Sequence, residues 1–262
     1  ITSYTAEYAA VSADGTVGAY SSVKPVNAGR YSVKISYADG NFTLLDAVKE
    51  YEIEKLGVTL TWTGGEKQNG VIRWQYDGAA HDITPQVKGL EIWTASGIIG
   101  TLEVERTDGL VGGITSVGSA TATAALKNTP FNANFYITNS PSQDYEVYKR
   151  VITSAEWKDS FGNIYSMGET AEYDYGTITG AKGPDYAVTV PDYTAANGKL
   201  SLAVTYSASF GGEWAVDETN GYKAVAELSA GDFANYEFDD GTDKISFTFY
   251  IMEISENKQN IN

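Results

Sequence analysis

Three stretches of this chain alternate apolar and polar residues with a period of two, and that period constrains the fold class before anything else does. Tyr31, Val33, Ile35 and Tyr37 alternate with Ser32, Lys34 and Ser36. Ala120, Ala122, Ala124 and Leu126 alternate with Thr121, Thr123 and Ala125, and Tyr222, Ala224, Ala226 and Leu228 with Lys223, Val225 and Glu227. Successive side chains of an extended strand point to opposite faces, so each run offers one face to a core and the other to water. Turn-forming pairs punctuate the chain: Asp14-Gly15, Asp39-Gly40, Asp77-Gly78, Asp108-Gly109, Asn197-Gly198 and Asp240-Gly241. Helical periodicity is nearly missing. The best helical stretch is Leu44-Leu45-Asp46-Ala47-Val48-Lys49-Glu50, read as two turns inside a loop. An all-β chain is expected.

The same runs carry an internal repeat. Each follows a glycine-containing turn: Asn27-Ala28-Gly29, Ser116-Val117-Gly118 and Thr219-Asn220-Gly221. Each precedes an asparagine–aromatic pair: Asn41-Phe42, Asn134-Phe135 and Asn235-Tyr236. A second alternating strand comes next, Tyr51-Glu52-Ile53, Tyr145-Glu146-Val147 and Ile245-Ser246-Phe247-Thr248-Phe249. The three turn glycines stand about ninety to one hundred positions apart, the length of a small β-sandwich. A front half recurs only twice, as Thr61-Trp62 ahead of Tyr76-Asp77-Gly78 and Glu156-Trp157 ahead of Tyr173-Asp174-Tyr175-Gly176. The organisation read from this is a partial unit over 1–55, a complete one over 56–154 and a divergent complete one over 155–262. Strands that cover the partial unit come either from the second unit or from sequence upstream. The linkers Glu54-Lys55-Leu56-Gly57 and Ile152-Thr153-Ser154-Ala155 are neither Gly/Ser-rich nor Pro-rich, so a semi-rigid rod is expected.

Asn27-Ala28-Gly29-Arg30-Tyr31-Ser32-Val33 resembles the D-x-G-x-Y-x-C signature of an immunoglobulin F strand, with Val33 at the cysteine position. In that pattern the tyrosine hydroxyl ties back to nearby backbone. Tyr222 and Ala224 repeat the arrangement, whereas the middle unit has Ala120 and must lack the bond. More specifically, Lys24-Pro25-Val26-Asn27-Ala28-Gly29-Arg30-Tyr31, Tyr76-Asp77-Gly78 leading to Thr84-Pro85, and Tyr51-Glu52-Ile53 resemble the bacterial immunoglobulin-like tandem repeats of the MBG type. The resemblance is closest over 24–90, fair over 115–150 and weak in the third unit. It implies tandem immunoglobulin-like β-sandwich domains, the first one partial, in an extracellular or cell-surface bacterial protein. It carries over no catalytic residue.

Charge and side-chain chemistry narrow the function. With 18 basic against 34 acidic residues the chain carries −16, a field that repels nucleic acid and anionic lipid. No run approaches the ~18 apolar residues of a membrane span, so direct membrane contact is not expected. Cysteine is absent, which removes thiol nucleophiles, disulfides and thiolate metal sites. The single histidine, His81, has no nucleophile motif around it and reads as a turn or interface residue. Gly109-Leu110-Val111-Gly112-Gly113 lacks the lysine of a phosphate loop. The chain therefore reads as a non-catalytic stalk, spacer or adhesive segment. Its partners are neighbouring repeats of the same chain, and beyond them a host or cell-wall glycan or protein. The rival readings are a carbohydrate-binding module and an accessory domain of a secreted enzyme. Trp93 and Trp214 are the candidate sugar-stacking rings, Trp214 because it follows the flexible pair Gly211-Gly212; Trp62 and Trp157 are expected in cores. Asp239, Asp240 and Asp243 gather round Gly241 and form the one candidate calcium site, without the ligand spacing of an EF-hand.

Overall fold

A computed structural model describes residues 4–37, 47–88, 100–110, 112–174, 184–190, 194–195, 198–200, 202–207 and 214–254. Its regular structure is almost entirely β, as the period-two runs require. Strand pairing falls into three groups that follow one another along the sequence. In the first, β1 (Thr5–Ala10), β2 (Gly29–Ser36) and β3 (Ala47–Ile53) form one antiparallel sheet in that order.

The second group begins two residues beyond β3. Its strands are β4 (Leu56–Thr63), β5 (Glu66–Gln68), β6 (Val71–Gln75), β7 (Thr84–Lys88), β8 (Val104–Arg106), β9 (Gly118–Leu126), β10 (Phe135–Ile137) and β11 (Ser142–Tyr148). They form a sheet β10-β4-β7 and a sheet β5-β6-β11-β9-β8. Val58 and Trp62 of β4 lie among Leu126 of β9, Ala122 of β9 and Tyr145 of β11, so the two sheets face each other across a core.

The third group comprises β12 (Arg150–Ile152), β13 (Glu156–Asp159), β14 (Ile164–Ser166), β15 (Thr170–Asp174), β16 (Tyr186–Thr189), β17 (Thr194–Ala195), β18 (Gly198–Lys199), β19 (Leu202–Tyr206), β20 (Asp217–Leu228), β21 (Tyr236–Phe238) and β22 (Lys244–Met252). Its sheets are β12-β21, β14-β13-β16, β15-β22-β20-β19 and the small hairpin β17-β18. Trp157 of β13 stacks on Phe247 of β22 with ring centroids 5.5 Å apart, again joining two sheets face to face.

The second and third groups share an order of pairing. A strand early in each group runs parallel to its last strand, β6 with β11 and β15 with β22. That last strand pairs antiparallel with the long alternating strand, β9 or β20, which in turn pairs with β8 or β19. The chain enters each group beside a short strand that follows the asparagine–aromatic pair, β4 parallel to β10 and β12 parallel to β21. Pairing thus changes groups at Lys149, ahead of the linker seen in the sequence at 152–155. Among the described residues, the first group has only the β8-β9-β11 part of this scheme, as β1-β2-β3.

Side-chain size explains why alanine, a poor strand former, lines the alternating runs. Ala224 stands opposite Phe247, and Ala120 opposite Tyr145. The small side chain leaves volume that the neighbouring ring fills, and Ala122, Ala224 and Ala226 are fully buried. In the first group the burial is reversed from expectation. Ser32 is buried and hydrogen-bonds Tyr20 Oη at 2.7 Å, whereas Tyr31, Val33 and Ile35 are only half-buried. The loop carrying Tyr20 covers the polar face of β2, and no described strand covers the apolar one.

Two local expectations meet different fates. The Tyr31 hydroxyl donates to the Asn27 carbonyl at 2.9 Å, and that of Tyr222 to the Ala215 carbonyl at 3.0 Å, so both tyrosines tie back as their positions imply. Of the stretch 44–50 read as helical, the described part, Ala47–Glu50, is strand and belongs to β3. Pairing of Ala47 with Ile35 and Glu50 with Ser32 along β2 outweighs the local helical preference. Asp14-Gly15, Asp77-Gly78, Asp108-Gly109 and Asp240-Gly241 all turn with positive φ at glycine. Asp39-Gly40 and Asn41-Phe42 lie outside the described residues.

Phe249 lies among four rings of the third group, meeting Tyr173, Tyr186, Trp214 and Tyr222 at centroid separations of 4.8 to 6.3 Å. Replacing it with alanine removes partners from all four, so Phe249→Ala should destabilise this group by about 3–5 kcal/mol. Urea unfolding followed by tryptophan fluorescence measures this; a loss below about 1 kcal/mol would contradict the packing described.

Candidate functional site

Of the two rings singled out for sugar binding, Trp214 does not face solvent. Trp214 is only 5% exposed. Its ring meets Tyr222 at 4.5 Å, Phe249 at 4.8 Å and Tyr206 at 6.1 Å, each edge to face. The glycine pair before it suggested exposure, but the apolar faces of β20 and β22 draw the indole inward. Trp93 lies outside the described residues. Trp157 is buried as expected, and Trp62 is half-buried beside Tyr145. Among the described residues, the rings that face solvent are Tyr4, Tyr136, Tyr148 and Phe161. For Tyr136 the signal was present: in Phe135-Tyr136-Ile137 the alternation sends Phe135 inward and Tyr136 outward.

The acidic turn closes on itself. Asp240 Oδ1 accepts from Thr242 N at 2.9 Å and from Thr242 Oγ1 at 2.7 Å, while the Asp243 carbonyl accepts from Leu228 N. Asp239 and Asp240 are exposed, and no three acidic or histidine side chains among the described residues converge in a way that could hold a metal. The hairpin uses Asp240 for the turn itself.

His81 is fixed between two partners. Its ring stacks on Trp74 at 5.0 Å, its Nε2 lies 2.8 Å from Asp77 Oδ1, and its backbone pairs with Ile114. The Asp77 carboxyl is held below the usual range, first by the Ala79 backbone N–H and then by His81. This arrangement stitches a turn to a distant loop, with no hydroxyl nucleophile among the hydrogen-bond partners of His81.

The most concentrated polar chemistry is buried in the third group, and sequence reasoning missed it. Asp159, at the end of β13, is 4% exposed. Its Oδ1 accepts from Phe161 N at 3.0 Å and Asn163 N at 2.8 Å; its Oδ2 accepts from Asn163 Nδ2 at 2.8 Å and Tyr173 Oη at 2.7 Å. Tyr173 and Tyr186 hydroxyls lie 2.8 Å apart, and the Tyr206 hydroxyl accepts from Tyr186 N at 2.8 Å. Burial works to raise the Asp159 pKa, but the donors from Asn163 and Tyr173 overcome it and hold the carboxyl below its usual value. Burial drives Tyr173 and Tyr186 strongly upward, so both stay protonated. A carboxylate with all its donors supplied pins β13, β15 and β16 together rather than waiting for a substrate.

Two further polar contacts sit where the groups meet. Ala28 N donates to Asn134 Oδ1 at 2.6 Å, and Asn134 Nδ2 reaches Asn27 Oδ1 at 3.2 Å. Val117 N donates to Asn235 Oδ1 at 3.1 Å, and beside it Tyr76 packs edge-on against Tyr236 at 5.3 Å. Of the asparagine–aromatic pairs noticed in the sequence, Asn134-Phe135 and Asn235-Tyr236 are therefore junction residues. No family model matches the chain, and neither a curated protein nor a solved structure is significantly similar to it.

The Asp159 network sets a pH dependence. Its depressed carboxyl stabilises the fold above the unfolded aspartate pKa near ~3.9, and that stability is lost as pH falls through the lower folded value. The raised tyrosines stabilise below the unfolded pKa of ~10, and that stability is lost as pH climbs beyond it. The urea midpoint of the third group should therefore fall below about pH 4 and above about pH 10. In Asp159→Asn the acid limb should shrink; a midpoint that rises above pH 10, or an acid limb unchanged by the substitution, would contradict the network's role.

Proposed function

We propose that this chain is a run of tandem immunoglobulin-like β-sandwich units, the first partial, serving as a stalk or spacer of a secreted or cell-surface bacterial protein. The units of this reading are 1–55, 56–154 and 155–262, with Arg150–Ile152 drawn into the third by its pairing. The observation that supports it best is the recurrence of one pairing order in two successive groups joined by almost no linker. The resemblance of Lys24–Tyr31 and Tyr76-Asp77-Gly78 to MBG-type repeats supports the location at a bacterial surface. Trp214, the candidate ring for sugar stacking, is committed to a core, which weighs against the carbohydrate-binding alternative.

The mechanism is mechanical. In each complete unit a strand near the entry runs parallel to the last strand, so a pull on the two ends of the chain slides these strands in opposite directions. Their hydrogen bonds then load together in shear instead of opening one at a time. Parallel closure is thus suited to bearing tension along the chain.

Stretching the protein between its ends by atomic force microscopy tests this. Two separate unfolding peaks should appear, each releasing chain on the order of 300 Å long. A single release of the whole chain, or extension without resolved peaks, would sink the reading.

A further inference from the structure

We infer that the first and second groups each carry a docking socket for the group that follows, the backbone N–H immediately before the glycine that opens the long strand, Gly29 or Gly118, and that the ligand of the socket is an asparagine carboxamide. This rests on the tandem-unit reading and names how its units recognise each other. In the first group the donor is Ala28 N, three residues before Tyr31, and its acceptor is Asn134 of the second group at 2.6 Å. In the second group the donor is Val117 N, three residues before Ala120, and its acceptor is Asn235 of the third at 3.1 Å. Tyr31 faces Tyr51 across its sheet as Ala120 faces Tyr145, so the two donors occupy the same place.

The asparagines are aimed by their surroundings. Asn134 is the last residue of a short helical turn, Asn132–Asn134, and α1 (Ala230–Phe233) ends shortly ahead of Asn235. Each precedes a buried aromatic anchor, Phe135 or Tyr236, in the strand that pairs with the incoming chain. Asn134 Nδ2 also donates to Phe131 O at 2.9 Å, which fixes the carboxamide with its oxygen toward Ala28. An uncharged amide suits this position: it accepts from backbone while avoiding the desolvation cost that a carboxylate would meet at a half-buried joint.

The third group shows the converse. Tyr222 faces Phe249 in the row equivalent to Ala120 and Tyr145, because Phe249 and Tyr145 each pair onward with the parallel strand, at Ala171 and Ile72. Three residues before Tyr222 stands Thr219, whose N–H donates to Asp217 Oδ1 at 3.1 Å; the N–H of Asn220 donates to the same oxygen at 2.8 Å. The socket of this group is filled by a carboxylate of its own turn. A unit placed after it does not dock by this route.

Amide hydrogen exchange, read residue by residue by NMR on the whole chain, tests the assignment. Asn235→Ala should speed exchange at Val117 roughly tenfold while Ala122 and Tyr145 stay protected. Asn134→Ala should do the same at Ala28 alone. Asn235→Asp, which keeps an acceptor oxygen, should preserve protection at Val117. Asp217→Ala should expose Thr219 and Asn220 without changing Ala28 or Val117. An unchanged Val117 in Asn235→Ala, or protection lost throughout 150–254 in both Asn235 variants, would overturn the socket. Two force peaks with an indifferent Val117 would remove the socket and leave the stalk; a responsive Val117 with a single force event would do the reverse.

Discussion

Parallel pairing between an early strand and the last strand closes each complete group, and the remaining structure depends on it. Antiparallel neighbours can be joined by a tight turn, but parallel ones need a long connection. Ile72 meets Tyr145 and Ala171 meets Phe249 only after most of the group has been laid down between them. The cores of Ile72 and Tyr145, and of Ala171 and Phe249, are therefore sealed last and by distant sequence. Contacts of this separation make folding slow and all-or-none within a group. The first group lacks such a pair among its described strands, and there Tyr31, Val33 and Ile35 stay half-buried.

The joints between the groups are short. β3 and β4 are separated by two residues, and β11 and β12 by one. At such short range backbone donors on one group come within reach of side chains on the other. Asn134 and Asn235 use that reach, and Tyr76 against Tyr236 adds an apolar contact at the second joint. The proposed rod derives its stiffness from these contacts, with the composition of the linkers playing little part.

Alternation and turn chemistry made the all-β class readable from the residues alone, because period two leaves few options once Asp-Gly turns are placed. The tyrosine tie-back at Tyr31 was also legible, since it needs only local geometry. What was not legible depends on distant partners. Ala47–Glu50 looks helical until β2 offers it a ladder. Trp214 looks exposed beside two glycines until β20 and β22 offer it a core. Asp159 looked like one acid among many, because Tyr173, itself hydrogen-bonded to Tyr186, reaches it only after three strands assemble. The asparagine–aromatic pairs were visible as a pattern, but their role required knowing which turn lies opposite.

Residual dipolar couplings measured on the weakly aligned chain test the central claim, that consecutive groups are held as one body by their junction. Couplings from 56–148 and from 150–252 should fit a single alignment tensor, with one magnitude and one set of axes. Two tensors of clearly different magnitude would mean that the groups reorient independently, and would contradict the account.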